Sequence, residues 1–149
     1  RLVEFYQALY DELELFVRHM AWLNAVPDEE GGKNKLSRRE EFEKNRLEVE
    51  MPECDAQYVI EHLFNIGITL GDHATTHGEI ESYQRNTGIS LTPWEVLTIK
   101  RLSETYLSES HKAREPDAET PWADAPYYMT RAYRSAMRSK ASIRKLAEI

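Results

Sequence analysis

Apolar side chains recur at three- and four-residue steps through the first 25 residues: Leu2, Phe5, Leu9, Leu13, Phe16, Met20 and Leu23. That spacing lines one face of an α-helix. Val3, Tyr6, Tyr10 and Val17 widen the stripe, so a helix over 2–25 is expected to be covered on more than one side, by the body or by another copy. Pro27 closes it, and residues 27–37 read as a loop around Asp28-Glu29-Glu30-Gly31-Gly32. Ser37 and Glu40 then stand at capping-box spacing. Beyond them only Phe42, Leu47 and Val49 can anchor a strongly charged stretch. The pattern predicts a solvated or loosely docked, mobile helix over 38–50, with disorder as the alternative.

Met51-Pro52 is a break. Asp55 is placed to cap a short helix running to about Asn65, and Gly67 and Gly71 bracket a loop or one extended stretch. No other segment has the period of a strand. Thr76 and Glu79 make a second capping pair, opening a helix that ends where Gly88 suits the left-handed position. Thr92-Pro93-Trp94-Glu95 restarts the helix: Thr92 at N-cap, Pro93 at N1, Glu95 at N3. Leu91 and Val96 flank this start at the spacing of a hydrophobic staple, and the helix is expected to reach Lys112.

Residues 114–126 hold three of the six prolines and read as a linker or extended arm. Trp122, directly after Pro121, is placed to dock onto the body or onto a partner. Helical periodicity resumes over 127–147. Met129, Tyr133, Ala136, Ile143 and Ala147 lie along one side, while Arg131, Arg134, Arg138 and Lys145 line another. The expected fold is therefore all-α: five to six helices organised around a helical hairpin at 76–112. A helical body spans 1–113, a Pro-rich linker 114–126 and a basic C-terminal helix 127–149.

Charge sharpens this division. The chain of 149 residues carries a net −7, yet residues 127–149 alone carry six Lys/Arg against one Asp/Glu. A basic segment thus follows an acidic body. The acidic total argues against a general nucleic-acid or membrane-surface binder, and no apolar run approaches the ~20 residues of a bilayer span. The single cysteine, Cys54, has no internal partner for a disulfide, which fits a reducing compartment.

Candidate chemistry is sparse. His73 and His77 stand four apart, but they frame a loop and lack the glutamate of a metalloprotease helix. They read as polar loop residues, and no metal or other cofactor is expected. Cys54 and His62 lack a third group or an oxyanion signal. The acidic pairs Glu12/Glu14, Glu29/Glu30 and Glu40/Glu41 belong to charged faces and loops. No catalytic residue and no phosphate loop can be named, so a binding protein is expected, not an enzyme. The hairpin has the outline of a helix-turn-helix, but Trp94, Glu95 and Thr98 occupy the place where base-reading side chains belong.

One ordered block is more specific. It runs Glu79-Ile80-x-x-Tyr83, then Thr87-Gly88-x-x-Leu91-x-Pro93-Trp94-Glu95, then Leu102-Ser103-x-x-Tyr106-Leu107. Preceded by Tyr58, Leu63-Phe64 and Gly67, and followed by Pro121-Trp122, it resembles the small tail assembly chaperones of long-tailed bacteriophages over residues 58–107. Residues 1–50 and the basic helix carry no part of that likeness. The resemblance implies an all-α, non-enzymatic protein of the infected host's cytoplasm, absent from the mature virion. It would bind the tape-measure protein, support assembly with the tail tube protein, and self-associate as a homo-oligomer. Partner-binding candidates are Leu9, Phe16 and Met20 on the first helix, Trp122 in the arm, and Arg131, Arg134 and Arg138 on the basic helix. A structural virion component, such as a tail-completion or connector protein, and a small helical DNA-binding regulator are the alternatives; membrane and nucleic-acid partners are not expected.

Overall fold

The long apolar stripe forms α1, Leu2–Asn24. In the computed structural model, which describes residues 1–29, 32 and 35–148, five further helices follow. They are α2 (Arg38–Lys44), α3 (Gln57–Ile66), α4 (His77–Thr87), α5 (Pro93–Lys112) and α6 (Arg131–Ala147). A 3-10 turn at Tyr127–Met129 leads into the last. The fold is all-α, with one minimal hairpin: β1 (Thr69–Leu70) pairs antiparallel with β2 (His73–Ala74). The extended stretch expected between the two glycines is therefore one half of this hairpin, turned at Gly71-Asp72. Of the loop expected over 27–37, residues 30, 31, 33 and 34 lie outside the described residues.

The strongest local signals fold as their chemistry dictates. Thr92 accepts from the Glu95 amide and Glu95 returns a bond to the Thr92 amide, so both orphan donors are satisfied at the start of α5. Thr76 accepts from the Glu79 amide at the start of α4. Gly88 sits at φ 73° and ends α4 in the left-handed region, and the Gln84 side chain ties the connection by accepting from the Leu91 amide at 2.8 Å. Helix α3 departs from expectation: its N-cap is Ala56, with no side-chain cap, while the Asp55 amide donates to Glu12 on α1.

Helices α1 and α5 run parallel. Tyr6 meets Trp94, the Arg101 guanidinium lies 3.9 Å from the Tyr10 ring centre, and Arg18 pairs with Glu109. Between them and α3–α4 lies the first core: Leu13, Val17, Met20, Val59, Leu63, Ile80, Ile99 and Leu102 are all buried. The block that carried the resemblance supplies Ile80, Tyr83, Ile99 and Leu102 to the interior, with Leu91, Trp94 and Tyr106 packed partly against it. Ser103 links the β-hairpin to α5, donating to the Ile68 carbonyl and accepting from the Thr75 amide.

A second core gathers at the far end of α1: Trp22, Leu23, Phe42, Ala113 and Met129. It corrects the expectation for residues 38–50. Helix α2 is shorter than predicted and firmly docked, with its capping box formed, Phe42 packed near Trp22, and Arg38 buried. Charge density hid the anchor, because a buried arginine is indistinguishable from its solvated neighbours in Arg38-Arg39-Glu40-Glu41.

Candidate partner-binding site

The proline-rich arm is a strap that closes over the second core, held by donors from three elements. Arg38 donates through Nη1 to the Trp22 carbonyl at 3.1 Å and through Nη2 to the Glu115 carbonyl at 3.0 Å. Arg134, on α6, donates to the carbonyls of Pro116 and Ala118 at 3.1 and 2.9 Å. The Trp22 indole N–H also reaches the Ala118 carbonyl, at 3.0 Å. Both guanidiniums lie over the Trp22 ring, at 4.8 and 5.7 Å from its centre. A strap without regular structure buries carbonyls that no helix or sheet satisfies, and the arginines supply the missing donors. Burial first, then the neighbouring Arg134 charge, pushes Arg38 down to about 10, so it stays charged at neutral pH.

His19 completes the fastening, and nothing in the sequence reading had singled it out. Its ring is buried, stacked 5.6 Å from Trp22 and edge-on to Trp122 at 5.2 Å. Nε2 lies 3.2 Å from the Glu50 carbonyl and Nδ1 2.9 Å from the Thr120 hydroxyl. A carbonyl only accepts, so Nε2 carries the proton and Nδ1 accepts from Thr120. The same hydroxyl oxygen accepts from the Trp122 amide at 3.2 Å. Burial is the largest cause holding the imidazole down, to about 4. The available signal was a histidine within the otherwise apolar run Phe16 to Leu23, interrupted besides only by Arg18.

The predicted partner residues fall into three groups. Met20 is buried in the first core, and Leu9 and Phe16 pack partly against it. Met20 therefore offers no open surface to a partner, and the stripe turns inward to meet α3 and α5. Trp122 is half-buried against His19, on the body. Arg134 is spent on strap carbonyls and Arg138 pairs with Asp117 at 2.9 Å. The exposed Arg131 has its amide bonded to Glu119 at 3.0 Å. The basic stripe of α6 therefore faces its own strap.

Apolar side chains outside the partner candidates are open as well. On α6, Ile143 and Leu146 are 67% and 71% exposed. At the other end of α1, Leu2, Phe5 and Tyr6 are exposed, as is Tyr58 of α3, which lies close to Tyr6. Phe5 meets Tyr6 edge-on at 5.6 Å, and Tyr6 meets Trp94 at 5.0 Å. A separate cleft of about 560 Å³ between α1 and α5 is polar, lined by Glu14, Arg18, Arg101, Glu104, Glu109 and Lys112 among others.

The remaining candidates are occupied or isolated. His62 hydrogen-bonds the Tyr83 hydroxyl at 2.7 Å, and burial pushes the Cys54 thiol up. His73 and His77 are exposed, and among the described residues no three His, Cys, Asp or Glu side chains gather as metal ligands. At the start of α5, Trp94 packs on Tyr6, Glu95 caps the helix and Thr98 is buried, so none is free to read a base edge. Among the described residues no helix is long and apolar enough to cross a membrane.

This geometry defines an all-α protein with a strapped second core and two open apolar surfaces at opposite ends. No protein-family model, curated protein or solved structure matches the chain.

Proposed function

We propose that the protein is a tail assembly chaperone of a long-tailed bacteriophage, which holds amphipathic helices of the tape-measure protein while the tail tube is built around them. The observation that carries this reading is the aromatic and aliphatic surface at the start of α1. Leu2, Phe5 and Tyr6 of α1 and Tyr58 of α3 leave apolar side chains exposed on a folded chain, with Tyr58 close to Tyr6. Exposed side chains grouped in this way mark a docking surface for another polypeptide. Its charged neighbours are mostly acidic: Glu4 in the first turn of α1, Glu61 one turn along α3 from Tyr58 and Glu95 beside the Tyr58 hydroxyl, against Arg1 at the α1 N-cap. A client helix with an apolar face and basic flanks fits that frame. The ordered motif over residues 79–107 supports the same reading from sequence.

Co-expression with the tape-measure protein from the same phage tests it. The tape-measure protein is expected to move into the soluble fraction and co-purify, and Phe5→Glu with Tyr58→Glu is expected to abolish capture while leaving the chaperone folded. Unchanged client solubility with no recovered complex overturns the reading. Recovery of the chain from purified particles would favour a structural component of the tail instead.

A further inference from the structure

We infer that the aromatic cluster where α1, α3 and α5 begin is a binding site for an arginine side chain of a partner polypeptide, its guanidinium seated on the open rings beside the Glu95 carboxylate. Three elements supply the rings. Tyr6 of α1 meets Trp94 of α5 at 5.0 Å and Phe5 edge-on at 5.6 Å between ring centres. Tyr58 of α3 lies close to Tyr6, and the Glu95 carboxylate sits beside the Tyr58 hydroxyl. Phe5, Tyr6 and Tyr58 are exposed and Trp94 is half-buried. The face of an aromatic ring is electron-rich, and a carboxylate next to it deepens the negative potential, so the cluster attracts a cation.

Two features of the cluster are unmet within the chain. The first is the carboxylate. Glu95 is half-buried, and its Oε1 accepts from the Thr92 amide at 2.7 Å. Among the described residues the ion pairs are Arg18–Glu109, Lys100–Glu104 and Arg138–Asp117, so Glu95 has no cation of its own. A carboxylate accepts about four hydrogen bonds, which leaves room for a charged donor beside the cap. The second is the rings. Elsewhere this chain covers aromatic faces with its own arginines: Arg38 and Arg134 over Trp22, and Arg101 over Tyr10. Among the described residues no such cation covers Phe5, Tyr6, Tyr58 or Trp94. Lys100, on α5, donates to the Thr75 carbonyl and pairs with Glu104. Arg1, exposed at the α1 N-cap, is outnumbered by Glu4, Glu61 and Glu95. A guanidinium suits the site better than an ammonium, because its plane stacks on a ring while its edge still donates to the carboxylate. That the arginine belongs to a client helix rests on the proposed function; the recognition chemistry does not.

Binding of short amphipathic helical peptides to the full chain, without any tape-measure protein, tests the site. The peptides are identical except at one central position, which holds arginine, its neutral isostere citrulline, or lysine. Two-dimensional NMR of the aromatic side chains supplies both the affinity and the location. The arginine peptide is expected to bind at least about tenfold tighter than the citrulline peptide, with lysine between them, and to shift Tyr6, Tyr58 and Trp94 while Trp22 stays still. Glu95→Gln retains the capping acceptor and removes the charge; Tyr6→Leu with Tyr58→Leu removes two exposed rings and retains apolar bulk. Unchanged circular dichroism verifies folding. Each variant is expected to lose most of the preference for arginine over citrulline. Equal affinity for the two peptides, or no binding of either, overturns the inference. So does a preference that survives in both variants, or one whose shifts fall elsewhere on the chain. A failed capture of the tape-measure protein with the arginine preference intact would sink the proposed function and leave the site standing.

Discussion

His19 is a base held neutral by its surroundings, and that makes folding depend on pH. The unfolded chain protonates it near 6.5, the folded chain only near 4. Between those values the unfolded state binds more protons, so stability is full above about 6.5, falls as pH drops through the window, and levels off below about 4. A depression of this size corresponds to about 3 kcal/mol. Denaturant titrations of the parent and of His19→Gln across pH 7 to 4 check this. Carboxylates contribute to both curves, so the readout is the difference, which should narrow by roughly that amount as pH falls. An unchanged difference would mean that the ring is not held neutral by burial. Protonated Nδ1 can no longer accept from Thr120, so the strap should loosen first. The histidine was legible only as a polar interruption of an apolar run, because its partners, Glu50 and Thr120, are 31 and 101 residues away.

At the scale of elements, the start of α5 is the most locally determined boundary in the chain. Thr92→Ala removes the acceptor for the Glu95 amide and half of a reciprocal cap, and should cost about 1 kcal/mol in denaturant unfolding. Gly88→Ala meets no neighbouring atom but keeps φ at 73°, so its cost, about 1–2 kcal/mol, comes from backbone strain alone. If either substitution is neutral, the corner between α4 and α5 is set by packing instead of by its caps. These boundaries could be read from sequence because donor, acceptor and strained residue lie within a few positions of one another. The same held for the apolar stripe of α1, whose period is local even though its covering is not. The strap could not be read this way. Its composition is that of a linker, and its carbonyls are satisfied by Arg38, Trp22 and Arg134, residues 16 to 96 positions away. Likewise, the charges of α2 concealed Arg38, and the periodicity of α6 identified two faces without telling which one turns to the body. For that reason two of the partner candidates carry structural roles instead: Met20 went inward and Arg134 was spent on the strap.

For the whole molecule, the consequence is that α6 divides into a structural root and a free arm. Met129 is fully buried in the second core, and Arg134 satisfies two strap carbonyls. Beyond Arg138 the described residues are all exposed, so that part of the helix draws little stability from the body, and isolated helices so short are marginal in water. Local opening should therefore be graded, with α6 amides past Arg138 exchanging near the free-chain rate and those of α5 around Ile99 and Leu102 exchanging only on global unfolding. Two truncations separate root from arm. Ending the chain after Arg138 should leave the denaturant midpoint within error of the parent. Ending it after Pro126 removes Met129 and the Arg134 bonds together, and should cost about 3–5 kcal/mol. Both chains are measured at a concentration low enough to keep the parent monomeric, so that any contact between copies adds nothing to the comparison. If the shorter truncation were as destabilising as the longer, the arm would be part of the fold. If the longer truncation were neutral, Met129 would not anchor the second core and the strap would be held by α1 and α2 alone.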